Sequence, residues 1–275
     1  MSQMHYQFNT ILVPVDFSVN TRVAIDKAVK LCEGPDCSIH LFFVNKNGVA
    51  KNGSHNSAHE SKLALLKESI LEKRPGIIVS SWQSNEKNVE KAIGKMAKSL
   101  NASLIIIGKH SRHSWFPFLN SVVPSRLAEL TNIPVLTVKP GAMDMDTKTV
   151  VVPVGTEIDA TKLEIMEALC RKSRIHIHLL AFLETGSRSV DNQAGSFLNT
   201  FDWVKRNLNC PMKYGFIYGD NKARALLKYC RSVNADLLLV SPVTETKVGW
   251  MNKHISDLLP AESKTQVLSV QSFNF

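Results

Sequence analysis

Short apolar runs bounded by turn-forming residues recur along this chain. They alternate with longer stretches in which apolar residues return every three or four positions. The runs at 11–15, 38–44, 76–82, 103–107 and 134–138 contain no Lys, Arg, Asp or Glu. Continuous apolar runs of this length predict parallel strands covered on both faces. Between them, Ala24, Ala28 and Leu31, then Leu63, Leu66 and Ile70, then Val89, Ile93 and Ala97 follow helical spacing. The later part repeats the plan, with strands near 149–154, 174–182, 211–218, 236–240 and 266–270. Each half predicts five strands alternating with four helices, which is a doubly wound α/β sheet. The polar segments "KNGVAKNGSHNS" (46–57) and "ETGSRSVDNQAGS" (184–196) are predicted as long mobile loops after the second strand of each half.

The two halves share wording as well as plan. "ILVPVDFS" (11–18) returns as "VVVPVGTE" (150–157), and "IHLFFV" (39–44) as "IHLLAF" (177–182). "NASLIIIG" (101–108) returns as "NADLLLVS" (234–241), and "PVLTV" (134–138) as "QVLSV" (266–270). Four matches in one order indicate duplication of a unit of about 135 residues. The domains predicted are 1–140 and 149–275, joined by the short polar "PGAMDMDTKT" (140–149). The last strand of each unit is short and apolar. An open edge of that kind favours pairing, so the two domains are expected to form an intramolecular pseudo-dimer.

Composition narrows the function classes. The chain has 275 residues, 44% hydrophobic and 21% charged, with a formal net charge of +9. Residues 1–140 carry 17 Lys and Arg against 10 Asp and Glu, and residues 141–275 carry 16 against 14. The excess in the first half could attract an anionic partner, but a solvated lysine-rich surface is the plainer reading. No arginine-rich helix or aromatic–basic sheet motif points to nucleic acid. No apolar run approaches a membrane span, and the N-terminus does not read as a secretory signal. Five scattered cysteines, odd in number, do not read as a disulfide framework and suit reduced cytosol, so a cytoplasmic location is expected.

Neither catalysis nor a metal centre is indicated. His55 and His59 stand four apart and His110 and His113 three apart, but both pairs fall in or beside predicted loops without a third ligand at motif spacing. His176 and His178 alternate along a strand and read as structural. There is no nucleophile elbow, Walker motif or activated nucleophile beside a base. In a doubly wound sheet, ligands bind beyond the carboxyl ends of the strands where strand order reverses. With strands 1 and 4 adjacent, that crevice would be lined by Asp16 and by "IIIGKHSRHSWFPFLNS" (105–121). Asp16 could accept hydrogen bonds from a ligand or cap the following helix.

These segments, "ILVPVDFS", "NASLIIIGKHSRHS" and "NSVVPSRLAELTNIPVLTV" (120–138), resemble the universal stress protein family, and Gly219-Asp220 suits its pattern. The resemblance spans both units. It implies an adenine nucleotide alpha hydrolase-like fold, a non-catalytic stress-response role, and ATP or AMP as the ligand of nucleotide-binding members. Those members carry Gly-x2-Gly-x9-Gly-[Ser/Thr] after strand 4, where glycines let backbone N–H groups approach phosphate at a helix start. Here the sequence runs Gly108-x2-Ser111-x8-Asn120-Ser121, with two glycines replaced and one residue missing.

The resemblance places the main chain of Val44 near an adenine and Asp16 near the ribose or adenine. Pro14, Val15 and Val122 flank these positions. A loss of about 2–3 kcal/mol would weaken binding roughly 30- to 150-fold. Lys109, His110, Arg112 and His113 are candidate compensating cations, and Trp115, Phe116 and Phe118 are expected to pack on a neighbouring unit or subunit. In the second unit Gly155 replaces Asp16, "SPVT" (241–244) replaces "GKHS", and Asn252-Lys253 replaces the final Gly-Ser, so no triphosphate is expected there. The resulting expectation is an interaction protein that has largely lost nucleotide binding, with a weak ATP or AMP sensor using domain 1 as the alternative. Homodimerisation and unidentified protein partners are compatible with both.

Overall fold

A computed structural model describes residues 6–32, 34, 36–45, 54–109, 119, 122–143, 145–155, 158–183, 190–218, 221–241, 255–260 and 262–271. The chain divides into two compact units. One comprises Phe8–Asp144 with Ala261–Ser263; the other comprises Met145–Pro260 and Lys264–Phe275 with the segment Met1–Gln7. They are called the N-terminal and C-terminal units.

The N-terminal unit runs β1 (Thr10–Val15), α1 (Val19–Leu31), β2 (Ser38–Val44), α2 (Ser54–Lys73), β3 (Ile78–Ser84), α3 (Val89–Ser99), β4 (Leu104–Gly108), α4 (Pro124–Thr131) and β5 (Val135–Val138). Its strands lie in the order β3-β2-β1-β4-β5, all parallel. The C-terminal unit runs β6 (Thr149–Val154), α5 (Ala160–Lys172), β7 (His176–Leu183), α6 (Val190–Asn207), β8 (Met212–Tyr218), α7 (Lys222–Ser232), β9 (Leu237–Val240), α8 (Ile255–Leu258) and β10 (Gln266–Ser269). Its order, β10-β9-β6-β7-β8, is the same arrangement, again parallel. Parallel strands need helices on both faces to bury them, which is why their sequences read as unbroken apolar runs. Leu12, Phe42, Ile105 and Ile107 of the N-terminal sheet meet Ile93 of α3 and Leu127 of α4 in one core.

The repeated words do matching local work. Asn101 and Asn234 hold φ of 48° and 52° in the turns that follow α3 and α7, a conformation asparagine tolerates better than most residues. Two residues later the chain locks onto the first strand of its unit. The Ser103 hydroxyl accepts the Thr10 N–H at 3.0 Å and donates to the Thr10 carbonyl at 3.1 Å. In the C-terminal unit the buried Asp236 carboxylate accepts the Thr149 N–H at 2.9 Å and the Lys148 N–H at 3.0 Å. The pairings Ile11↔Leu104 and Val150↔Leu237 that follow are the same register in both units.

Three expectations change. The segments read as loops are partly helical: α2 already begins at Ser54 and α6 at Val190. Polar residues at a helix start satisfy the free N–H groups of the first turn, so a polar stretch does not exclude a helix start. His55 and His59 accordingly lie on a helix. The third change is a disulfide between Cys32 and Cys37, both fully buried, whose Cα atoms lie 5.6 Å apart. It closes the turn between α1 and β2, where Gly34 adopts φ 89°. An odd cysteine count does not reveal such a local pair, because a tight turn, not a framework spacing, brings the thiols together.

Each unit also buries a histidine at the equivalent place in its second strand. His40 receives a hydrogen bond from the Trp82 indole at 3.4 Å, and His178 pairs with the Tyr229 hydroxyl at 2.9 Å. His176 is exposed, so of the alternating pair only His178 has this buried structural role. Burial lowers the His40 pKa, and burial together with Lys213 and His176 lowers that of His178. The unfolded chain therefore takes up protons near pH 6.5 that the folded chain refuses. Stability contributed by the neutral rings is present above about pH 6.5 and is lost as pH falls from there toward the lower folded values. Urea midpoints measured from pH 7.5 to 5 should show this loss, and the double variant His40→Gln/His178→Gln should flatten that part of the profile.

A second prediction contrasts two glycines. A β-carbon on Gly108 would lie 2.1 Å from the Asn20 carbonyl oxygen, whereas one on Gly155 meets nothing within 4 Å. Gly108→Ala should destabilise the protein by roughly 1–3 kcal/mol, since backbone must move. Gly155→Ala should change stability by at most about 1 kcal/mol, in the stabilising direction. Denaturant titration of the two variants checks both.

Candidate functional site

β1 has β2 on one side and β4 on the other, so the strand order reverses beside it, as the crevice rule requires. The carboxyl ends of β1, β2 and β4 bring Pro14, Val15, Asp16, Val44 and Gly108 to one end of the N-terminal sheet. Pro14, Val15, Val44 and Gly108 are buried, and Asp16 is half-buried. Ser111, Asn120 and Ser121, with His110, Arg112, His113, Trp115, Phe116 and Phe118, lie outside the described residues.

Asp16 faces its own chain. One carboxylate oxygen accepts the Ser18 N–H at 3.1 Å, the Thr21 hydroxyl at 2.7 Å and the Ser18 hydroxyl. Ser18, not Asp16, is the N-cap of α1, and its hydroxyl oxygen accepts the Thr21 N–H at 3.4 Å. Asp16 thus shapes the turn that delivers the cap. That turn carries Phe17 at φ 59°, a left-handed conformation costing a non-glycine residue roughly 1–2 kcal/mol. The Phe17 ring lies 5.0 Å from Phe43 and stacks at 4° on His59 of α2, centroid to centroid 5.9 Å. Phe43 and His59 are 4.4 Å apart, and the Lys62 ammonium stands 5.4 Å from the Phe17 ring. Apolar rings and a cation–π contact support the strained turn.

α1 then crosses β4 so closely that only glycine fits at 108. The packing of α1 accounts for this glycine, independently of any phosphate. Lys109, a candidate compensating cation, is 4% exposed, and its ammonium reaches the Val122 carbonyl at 3.4 Å. An ammonium next to an apolar strand end is costly unless hydrogen-bonded, and the chain supplies a carbonyl.

The N-terminus of α4 is the place where the spacing would present N–H groups to an anion. Val123 is its N-cap and offers no side-chain hydrogen bond, and Pro124 follows. The carboxylate of Glu90, from the first turn of α3, takes the position: it accepts the Val123 N–H at 3.0 Å and the Arg126 Nε–H at 2.6 Å. Glu90 is 6% exposed. A buried carboxylate on a helix N-terminus satisfies both the open N–H and the positive end of the dipole. Glu90 was not anticipated. In sequence it is one charge at the start of an amphipathic helix, and nothing there refers to residue 123.

The corresponding end of the C-terminal unit is built differently. Gly155 follows β6 and is exposed. Lys162, in the first turn of α5 behind its cap Asp159, is 2% exposed and donates to the Pro153 carbonyl at 2.9 Å. Burial lowers its pKa to about 8 against the opposing pull of Asp159. Ser241, at the place of Gly108, is buried, and 242–254 lie outside the described residues. Among the described residues no cluster of three or more His, Cys, Asp or Glu could hold a metal, and no helix is long and apolar enough to cross a membrane.

Residues 7–139 match the universal stress protein family model. The chain is similar in structure to a universal stress protein from Archaeoglobus fulgidus, with 17% identity, 98% of each chain covered and a TM-score of 0.71. It is also similar to a functionally unknown protein from Pseudomonas aeruginosa, with 17% identity, 96% of this chain and 93% of that one covered, and a TM-score of 0.62. A third likeness, at 14% identity with 94% of each chain covered and a TM-score of 0.57, is to the cytoplasmic domain of a prokaryotic cation chloride cotransporter. No curated protein matches the chain. At these identities the structural likenesses establish the α/β fold alone, and the match to the universal stress protein family model covers one half of the chain, residues 7–139.

Proposed function

We propose that this is a non-catalytic stress-response protein of the universal stress protein type, built of two tandem domains, 1–140 and 149–275, that acts in the cytoplasm through protein partners and has largely lost nucleotide binding. The observation that carries this reading is the Glu90 carboxylate on the N-terminus of α4. A phosphate at that helix end would have to displace the Glu90 carboxylate, which already holds the Val123 N–H and pairs with Arg126. The inward turns of Asp16 and Lys109 add to it, because groups that would hold a ribose or a phosphate are already bonded within the chain.

The alternative is a weak ATP or AMP sensor using the N-terminal unit alone. The convergence of Asp16, Val44 and Gly108 at one sheet end favours it. Titration calorimetry with ATP and AMP separates the two. The proposal expects binding no tighter than the millimolar range and no nucleotide in mass spectra of the denatured, freshly purified protein. Nucleotide carried through purification at one per chain overturns it. Gly108 is a poor test position, since any side chain there displaces α1; Asp16→Asn is better. If Asp16→Asn lowers a measurable affinity about tenfold, the sensor reading stands; that is about 1.4 kcal/mol. Glu90→Gln should strengthen any anion binding, because it removes the opposing charge.

The pseudo-dimer remains part of this proposal on the strength of the short apolar strands "PVLTV" and "QVLSV". A segment ending at residue 140 should self-associate in analytical ultracentrifugation, and a well-behaved monomer would count against the pairing.

A further inference from the structure

Three cysteines remain outside the disulfide: Cys170, Cys210 and Cys230. Cys230 is buried in the core of the C-terminal unit, and burial pushes its thiol up to about 12, which makes it inert. The other two are half-exposed. Cys170 sits in the last turn of α5, six residues before β7 begins at His176, and Cys210 lies two residues before β8 begins at Met212. β7 and β8 are neighbours in parallel register, with the Ile177 N–H on the Pro211 carbonyl at 2.9 Å. Both cysteines therefore arrive at the same, amino-terminal end of the same strand pair. There the two thiols are near enough for each to shift the other's titration.

We propose that Cys170 and Cys210 form a redox-active dithiol that a hydroperoxide oxidises to an intramolecular disulfide. The contact divides the labour. Cys170 draws the Cys210 pKa below its ordinary value, while Cys210, burial and Glu167 raise that of Cys170. The thiolate is the nucleophile, so Cys210 reacts first. Its sulfur attacks one oxygen of the hydroperoxide, the O–O bond breaks, and Cys210 becomes a sulfenic acid. The Cys170 sulfur then displaces the sulfenic hydroxyl, which leaves as water with the Cys170 proton. Two electrons pass from the sulfur pair to the peroxide. With hydrogen peroxide the balance is two thiols and one peroxide giving one disulfide and two waters. Cys32–Cys37 is already joined and fully buried, so it takes no part.

The test uses the full chain, purified without reductant and treated with a small excess of hydrogen peroxide. Thiols counted after denaturation should fall from three to one per chain, and peptide mapping should recover Cys170 linked to Cys210. Before oxidation, iodoacetamide at neutral pH should label Cys210 at least about tenfold faster than Cys230. In Cys170→Ser, the sulfenic acid on Cys210 should persist and be trapped by dimedone; in Cys210→Ser, both remaining thiols should survive. Three surviving thiols in the wild type overturn the proposal. So does oxidation of either cysteine to a sulfinic acid without the link, or a disulfide between chains. The wild-type peptide map decides even if a serine variant fails to fold.

Discussion

The main-chain oxygen of Asn20 lies where a β-carbon on residue 108 would have to be, and the N-terminal unit is organised around that approach. For α1 to come so near, the chain must leave β1 and turn back within three residues. Asp16 makes this turn by accepting from Ser18 and Thr21, Phe17 takes the left-handed conformation it requires, and Ser18 caps the helix that results. The rings of Phe43 and His59 then brace Phe17 from β2 and α2. Removing the glycine displaces α1, and with α1 goes the arrangement that holds Asp16. The residues that look like ligand groups in the sequence are, in the fold, parts of one packing solution.

The same economy governs the charges. At the end of a parallel sheet, helix N-termini and strand carbonyls leave polar groups that a ligand or solvent must otherwise satisfy. Here the chain satisfies several from within. Glu90 crosses from α3 to the start of α4, Lys109 folds onto Val122, and Lys162 runs inward to the Pro153 carbonyl in the other unit. Each is a charge taken largely out of water, tolerated because a hydrogen bond meets it. A sheet end filled this way keeps its shape with its polar groups met from within the chain.

The two units build the same strand order with different side chains. The lock between the start of the fourth strand and the start of the first is present in both, but a serine performs it in one unit and an aspartate in the other. The buried histidine survives, with tryptophan as its partner in one unit and tyrosine in the other. Near-identical register with different side chains means that backbone hydrogen bonding and apolar burial are what both halves retain. The groups that differ most, Asp16 against Gly155 and Gly108 against Ser241, are at the carboxyl ends of the strands.

The strands, nearly to the residue, their parallel character, the α/β class and the likeness of the two halves were all legible in the order of residues. These follow from local rules: an apolar run bounded by turn residues has few alternatives, and a repeated run has the same ones. The sequence also pointed to one end of the sheet as the candidate site, because strand order and the crevice rule need only topology. Tertiary structure alone decided what stands there. That Glu90 meets residue 123, that Lys109 points inward and that Gly108 answers to Asn20 are contacts between residues apart in the chain. The Cys32–Cys37 bond and the early starts of α2 and α6 escaped for the opposite reason. They are local, but polar and turn-forming residues serve loops, helix starts and tight turns alike, and only the packed chain selects among them.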